Sequence, residues 1–215
     1  MSSAYSAFSR LANSKDTVSV VVISLDLSAK VYPIIYSLDH LPYDCRKLVA
    51  MPKPVNGLLV LSGNAILHVS QGSPGVGIAV NGYTKGVTEF PGMIYNDKTI
   101  ELELMLDGAA AMALNGGRCL LFLQNGDWVS IKVKQDGSKV VGMDVSKISW
   151  SSTDIQTIAS RKGSAPLAAV PTCVSSIKDD EYFFLGSRVG DSLLIKWRYN
   201  GGKLFTKSRC VGIFN

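Results

Sequence analysis

The sequence predicts an all-β protein, a partial β-propeller of about three four-stranded antiparallel blades in an open arc. Three observations carry this. Short apolar runs rich in β-branched residues recur along the chain, tight Gly turns separate them, and helix-like periodicity is scarce. The turn glycines Gly63, Gly126 and Gly190 lie 63 and 64 residues apart, each between two apolar strands. A recurring β unit of that length has room for four strands and a long loop, and four strands make a propeller blade. The period exceeds the roughly 40–45 residues of a WD40 blade, and no Trp-Asp dipeptide occurs. A period near 63 gives about three units in 215 residues, too few to close a ring of the usual 4–8 blades.

The elements follow in order. Met1–Asp16 opens with a Ser/Ala-rich stretch and reads as a solvated loop leading into the first strand. Val18–Leu25 (VSVVVISL) is a β-branched strand run. Leu58–Val69 holds two apolar strands around a Gly-Asn turn, a strong hairpin signal. Ser70–Ile100 carries eight Gly and Pro residues and reads as a connection with short extended pieces. Leu102–Leu114 reads as two short strands flanking Asp107-Gly108. Arg118–Val145 is a three-stranded meander with Asn-Gly and Asp-Gly turns. In its middle strand Val129, Ile131 and Val133 alternate with Trp128, Ser130, Lys132 and Lys134, which predicts one core face and one wet face. Tyr182–Trp197 is another hairpin. Three regions result: 1–16 as a loop, 17–197 as blades, and 198–215 as a tail with no strand signal.

Composition bounds the function classes. With 47% hydrophobic residues, 18% charged residues and mean hydropathy +0.19, the chain is not intrinsically disordered. No apolar stretch approaches the roughly 18 uninterrupted residues of a membrane span. A net charge of +5 permits an acidic partner without demanding one. Cys45, Cys119, Cys173 and Cys210 are scattered, with no CxxC or Cys/His cluster, so reduced thiols are expected and a zinc site is not.

Candidate chemistry is thin. Cys45 with His40 could form a nucleophile pair, yet no local signature accompanies them. Asp39 with Asp44, or Glu101 with Glu103, could do acid–base work, but a solvated strand face is the far commoner explanation of such residues. Lys178–Glu181 lacks the alternating oxygen ligands of a calcium loop. Gly75-Val76-Gly77 lacks the third glycine and helix of a phosphate loop. Basic residues gather weakly at Lys132, Lys134, Lys139, Arg161 and Lys162, with Trp128 on the Lys132/Lys134 face. That combination is a candidate nucleic-acid contact, electrostatic and indifferent to sequence. The residues themselves therefore point to a non-enzymatic β scaffold with no cofactor, no metal and no small-molecule substrate.

Three stretches resemble the large subunit of the cleavage and polyadenylation specificity factor: Ile23–Gly82, Leu106–Val133 and Tyr182–Trp197. The last is shared with the large subunit of the damaged-DNA-binding complex and with a propeller subunit of the spliceosomal SF3b complex. LPYDC (Leu41–Cys45) and MPKPVNG (Met51–Gly57) single out the polyadenylation family. The resemblance ends after Trp197. It implies later blades of a first propeller, a nuclear location, and a scaffold role in pre-mRNA 3′-end processing. The implied partners are the other subunits of that complex and pre-mRNA. A propeller adaptor of a damaged-DNA-binding or splicing complex is the alternative, and a thiol enzyme using Cys45 and His40 a weaker one.

Overall fold

The computed structural model describes residues 15–148, 170–177, 182–189, 192–200 and 203–214. The architecture is all-β, built from sheets of two, five, four and four strands. Two short helical turns, α1 (Thr84–Val87) and α2 (Asp97–Ile100), lie in the connection that the Gly/Pro content marked out. No helix among the described residues is long and apolar enough to cross a membrane. By its contacts the chain divides into two compact units, residues 1–48 with 57–105, and residues 49–56 with 106–215.

In the first unit, β1 (Asp16–Ile23) and β2 (Ile34–Pro42) pair antiparallel as a separate two-stranded sheet. The five-stranded sheet runs β3 (Cys45–Ala50), β4 (Leu58–Ser62), β5 (Ala65–Val69), β6 (Val76–Ala79) and β7 (Met93–Ile94) in sequential order. β4 and β5 form the hairpin read from LLVLS-GN-AILHV, pairing Leu58 with Val69 and Leu61 with Ile66. Val60, Leu67 and Val69 on one face of this sheet pack with Val20, Leu41 and Phe90 into a core. The base of the β1–β2 hairpin is therefore anchored by its own apolar side chains.

In the second unit, β8 (Ala110–Leu114), β9 (Arg118–Phe122), β10 (Trp128–Asp136) and β11 (Lys139–Lys147) make an antiparallel meander. A second four-stranded sheet follows: β12 (Val170–Ile177), β13 (Tyr182–Val189), β14 (Ser192–Asn200) and β15 (Lys203–Phe214). In both sheets every strand pairs with its neighbour in sequence, so short connections suffice.

Three expectations are corrected. Only the second half of Leu102–Leu114 is a strand, β8; before it the chain turns, and the Leu104 N–H donates to the Val80 carbonyl instead of joining a ladder. The tail read as strandless forms β15 on the edge of β14. An available sheet edge outweighs weak local alternation there, as β pairing is governed more by context than by propensity. Third, Trp128 does not lie on a wet face. Val129, Ile131 and Val133 are buried as expected, but so is Trp128, at 6% exposure. Its face is covered at one end by Phe183 and Leu185 of β13, and opens to solvent toward Lys132 and Lys134.

Candidate interaction surfaces

The aromatic residue of the proposed nucleic-acid face belongs to a core. Phe122 and Trp128 meet edge-on with ring centroids 4.6 Å apart, and Phe183 lies 5.7 and 5.8 Å from them. Such tilted contacts suit the ring quadrupoles and leave no indole face for a base. Lys132, Lys134 and Lys139 are exposed on β10 and β11. They do not stand as an unopposed basic patch. Lys132 faces Asp144 in the ladder, Lys134 Nζ sits 2.7 Å from the Asp144 carboxylate, and Lys139 pairs across the turn with Asp136. Lys147 similarly meets Asp127 at 3.1 Å. Alternating charge of this kind solvates a strand face. Arg161 and Lys162, and the acidic turn at Lys178–Glu181, lie outside the described residues.

The candidate nucleophile is not activated. Cys45 is half-buried at the start of β3, and burial, helped by the Asp44 and Asp16 carboxylates, pushes its thiol up to about 12. A thiol held protonated is a poor nucleophile. His40 is exposed on β2, with a positive φ of 60°. Glu101 and Glu103 are exposed in the turn after α2 rather than on a strand. Among the described residues no three His, Cys, Asp or Glu side chains gather into a metal-binding group.

Sequence reasoning paired Asp44 with Asp39, but the structure gives Asp44 a different task. Asp39 is exposed, whereas Asp44 is buried at 9% exposure. Its Oδ2 accepts from Ser62 Oγ at 3.3 Å, from the Gly63 N–H at 3.1 Å and from Asn64 Nδ2 at 3.0 Å. One carboxylate oxygen thus holds the whole β4–β5 turn. The network continues inward. Asn81 Nδ2 donates to Asn64 Oδ1 and to the Leu104 carbonyl, and the Thr84 hydroxyl donates to the Asn64 carbonyl at 2.7 Å. The Gly-Asn turn signal was visible in the sequence; the distant carboxylate that fastens it, 18 to 20 residues away, was not.

The two most specific motifs therefore have structural explanations. In LPYDC, Leu41 is fully buried and Asp44 clamps the turn. In MPKPVNG, Met51 and Val55 are buried, and Gly57 has φ +75° with Val69 O only 2.5 Å from where a Cβ would stand. Neither motif assembles a reactive centre. Both fix backbone.

No protein-family model matches the chain. Among curated proteins it is 32% identical over 189 residues to Protein CFT1 of Yarrowia lipolytica, covering 87% of this chain and 14% of that protein. It is 32% identical over 191 residues to Protein cft1 of Neurospora crassa, covering 88% of this chain and 12% of that one. Cleavage and polyadenylation specificity factor subunit 1 of Drosophila melanogaster matches at 28% over 180 residues, 84% of this chain and 11% of the relative. The chain thus spans about one-eighth of the length of these relatives, and over that segment it belongs to the family of Protein CFT1 and cleavage and polyadenylation specificity factor subunit 1.

Proposed function

We propose that the chain is a non-catalytic scaffold segment of the nuclear pre-mRNA cleavage and polyadenylation machinery, working through contacts with other subunits of that complex. The observation that carries this is the alignment of more than four-fifths of the chain with Protein CFT1 and with a relative named cleavage and polyadenylation specificity factor subunit 1. The two four-stranded meanders support reading the sheets as blades of a partial propeller, with residues 17–197 as the family-like part. Residues 198–215 fall outside the family pattern even though β15 extends the last sheet.

The chemistry supports a protein-binding role before a nucleic-acid one. Trp128 is a core residue, and Asp144 offsets Lys132 and Lys134. Any RNA contact at this face, through Lys132, Lys134 and Lys139, is weak, non-specific and sensitive to salt. A thiol enzyme is disfavoured by the raised Cys45 thiol.

Affinity purification of the tagged chain from nuclear extract tests the reading. Recovery of the cleavage and polyadenylation subunits, scored against a sheet-disrupting Ile131→Asp control, is the expected result. Recovery of damaged-DNA-binding or splicing subunits in their place would move the chain to another complex.

A further inference from the structure

We infer that Asn115 is a site of spontaneous covalent modification, deamidating through a cyclic imide with Gly116, while the fold protects the other Asn-Gly pairs among the described residues. The inference goes beyond the processing role and does not depend on it.

The sequence holds five Asn-Gly pairs: Asn56-Gly57, Asn81-Gly82, Asn115-Gly116, Asn125-Gly126 and Asn200-Gly201. Gly201 lies outside the described residues, which leaves four pairs to compare. Asparagine before glycine is chemically vulnerable because no Cβ shields the glycine nitrogen from the side-chain carbonyl carbon. Glycine follows in all four pairs, so the fold is what separates them. Reaction requires the asparagine amide to swing onto the next backbone nitrogen. Side chain and turn must both leave their native positions, and local stability decides how often they do.

Three of the four pairs are held. Asn81 is buried at 2% exposure. Its Nδ2 donates to the Leu104 carbonyl at 2.7 Å and to Asn64 Oδ1 at 3.0 Å, and its Oδ1 accepts from the Tyr83 N–H at 3.1 Å. At Asn125 both ends of the amide are engaged by Asp127, Oδ1 by its N–H and Nδ2 by its carboxylate, each at 3.0 Å. The attacking nitrogen is engaged as well, since the Gly126 N–H donates to the Leu123 carbonyl at 3.0 Å. Asn56 is exposed, but the backbone around it is wedged. Its own N–H donates to the Pro52 carbonyl, and a Cβ on Gly57 would stand 2.5 Å from Val69 O and 2.8 Å from the Ser70 Cβ. That close approach leaves Gly57 little room to rotate.

Asn115 and Gly116 stand apart. They belong to the three-residue turn between β8 and β9, beyond the last ladder pair, Leu114 with Arg118. Both are exposed, and nothing lies within 4 Å of where a Gly116 Cβ would be. Gly117, the third residue of the turn, is buried against Val55. The turn is therefore anchored at its end, while the reacting pair projects into water, which can replace hydrogen bonds there at little net cost.

Water is the only co-reactant. Hydroxide takes the Gly116 amide proton, the nitrogen bonds to Asn115 Cγ, the Cγ–Nδ2 bond breaks, and ammonia leaves with a proton from water, which restores the hydroxide. A second water opens the imide, leaving aspartate if it attacks Cγ and isoaspartate if it attacks the main-chain carbonyl. Nothing is oxidised or reduced. Either product lowers the net charge of +5 by one, and isoaspartate lengthens the β8–β9 turn by one methylene.

Incubating the folded chain at mildly alkaline pH and following its peptides by mass spectrometry tests this. The peptide holding Asn115 should show the amide-to-acid mass gain roughly tenfold or more ahead of those holding Asn56, Asn81 and Asn125, about what one held hydrogen bond takes from a rate. In urea the four should convert at similar rates. Asn115→Gln, which must close a larger ring, should abolish the fast conversion and keep the parent's circular dichroism. Conversion of Asn56, Asn81 or Asn125 as fast as Asn115 in the folded chain would overturn the proposal. So would an Asn115 that keeps its lead in urea, or one that stays intact in the folded chain over the time in which it converts in urea.

Discussion

The runs VSVVVI in β1 and WVSIKVKQ in β10 are both short and β-branched, yet their fates are opposite. In β10 the face holding Val129, Ile131 and Val133 is sealed, and on the other face Trp128 is enclosed by aromatic neighbours. In β1 only Val20 is buried, and Val21 and Ile23 are half in water. Local pattern therefore sets the strand, while the number of strands beside it sets the burial. A chemically similar truncation should have very different effects in the two places. Trp128→Ala is expected to lose about 3–5 kcal/mol and Ile131→Ala about 2–5 kcal/mol. Val21→Ser should lose less than about 0.5 kcal/mol. Urea titrations of the three variants make the comparison. Equal losses at Val21 and Ile131 would mean that the hairpin is covered after all.

The same contrast explains what was legible in the sequence. The hairpins around Gly63 and Gly126 and the alternation in β10 were readable, because turn residues and period-two patterning are local properties. Trp128 was misplaced because its alternation with Val129 was right but the cover over its face comes from Phe183, more than fifty residues away. β15 was missed for a related reason: the edge of β14 invites it, while its own sequence does not announce it. Asp44 reads in the sequence as a carboxylate of a solvated strand face, whereas it is buried and fastens a turn. Hydrogen bonds to a turn 18 to 20 residues away have no local signature.

Asp44 sharpens the comparison from the polar side. The β4–β5 turn depends on one buried acceptor, whereas the β1–β2 tip closes on Asp26, an exposed residue whose bonds water can replace. Asp44→Ala strands the donors of Ser62, Gly63 and Asn64, with an expected loss of about 1–3 kcal/mol. Asp26→Ala should lose clearly less in the same titration. Asp44→Asn retains one acceptor oxygen and should fall between them. If Asp26→Ala proved the more damaging, burial would not be what gives the Asp44 clamp its strength.

Cys45, next to Asp44, adds a dependence on pH. Its thiol is raised from the ordinary value of 9.0 to about 12 in the folded chain. The unfolded chain therefore releases the proton first, and folding loses ground as pH rises. The loss is negligible below about pH 8, grows between 9 and 12, and reaches at most about 1.4 kcal/mol by pH 10. Cys45→Ala should flatten that part of the stability curve relative to the parent. At pH 8 a maleimide probe should label Cys45 more slowly than the exposed Cys173. Rapid labelling of Cys45 would revive the nucleophile reading.

The smallest effect belongs to the wet end of β10. Lys134 and Asp144 form an ion pair at 2.7 Å, yet both side chains are more than half exposed. Water and salt screen the attraction, and ordering a long lysine side chain opposes it, so exposed pairs contribute about 0.2–1 kcal/mol at best. Lys134→Ala should therefore change stability by less than about 0.5 kcal/mol at physiological ionic strength, and by still less in 1 M salt. It also separates the two readings of this face. If the lysine serves mainly to solvate the strand, Lys134→Ala leaves the weak binding of a single-stranded RNA oligomer nearly unchanged, since Asp144 already offsets its charge. If the face is a phosphate-binding surface, the variant lowers affinity and makes the salt dependence shallower by about one released counterion. Filter binding of parent and variant across a salt series decides between them, and the charge pairing in the ladder favours the first outcome.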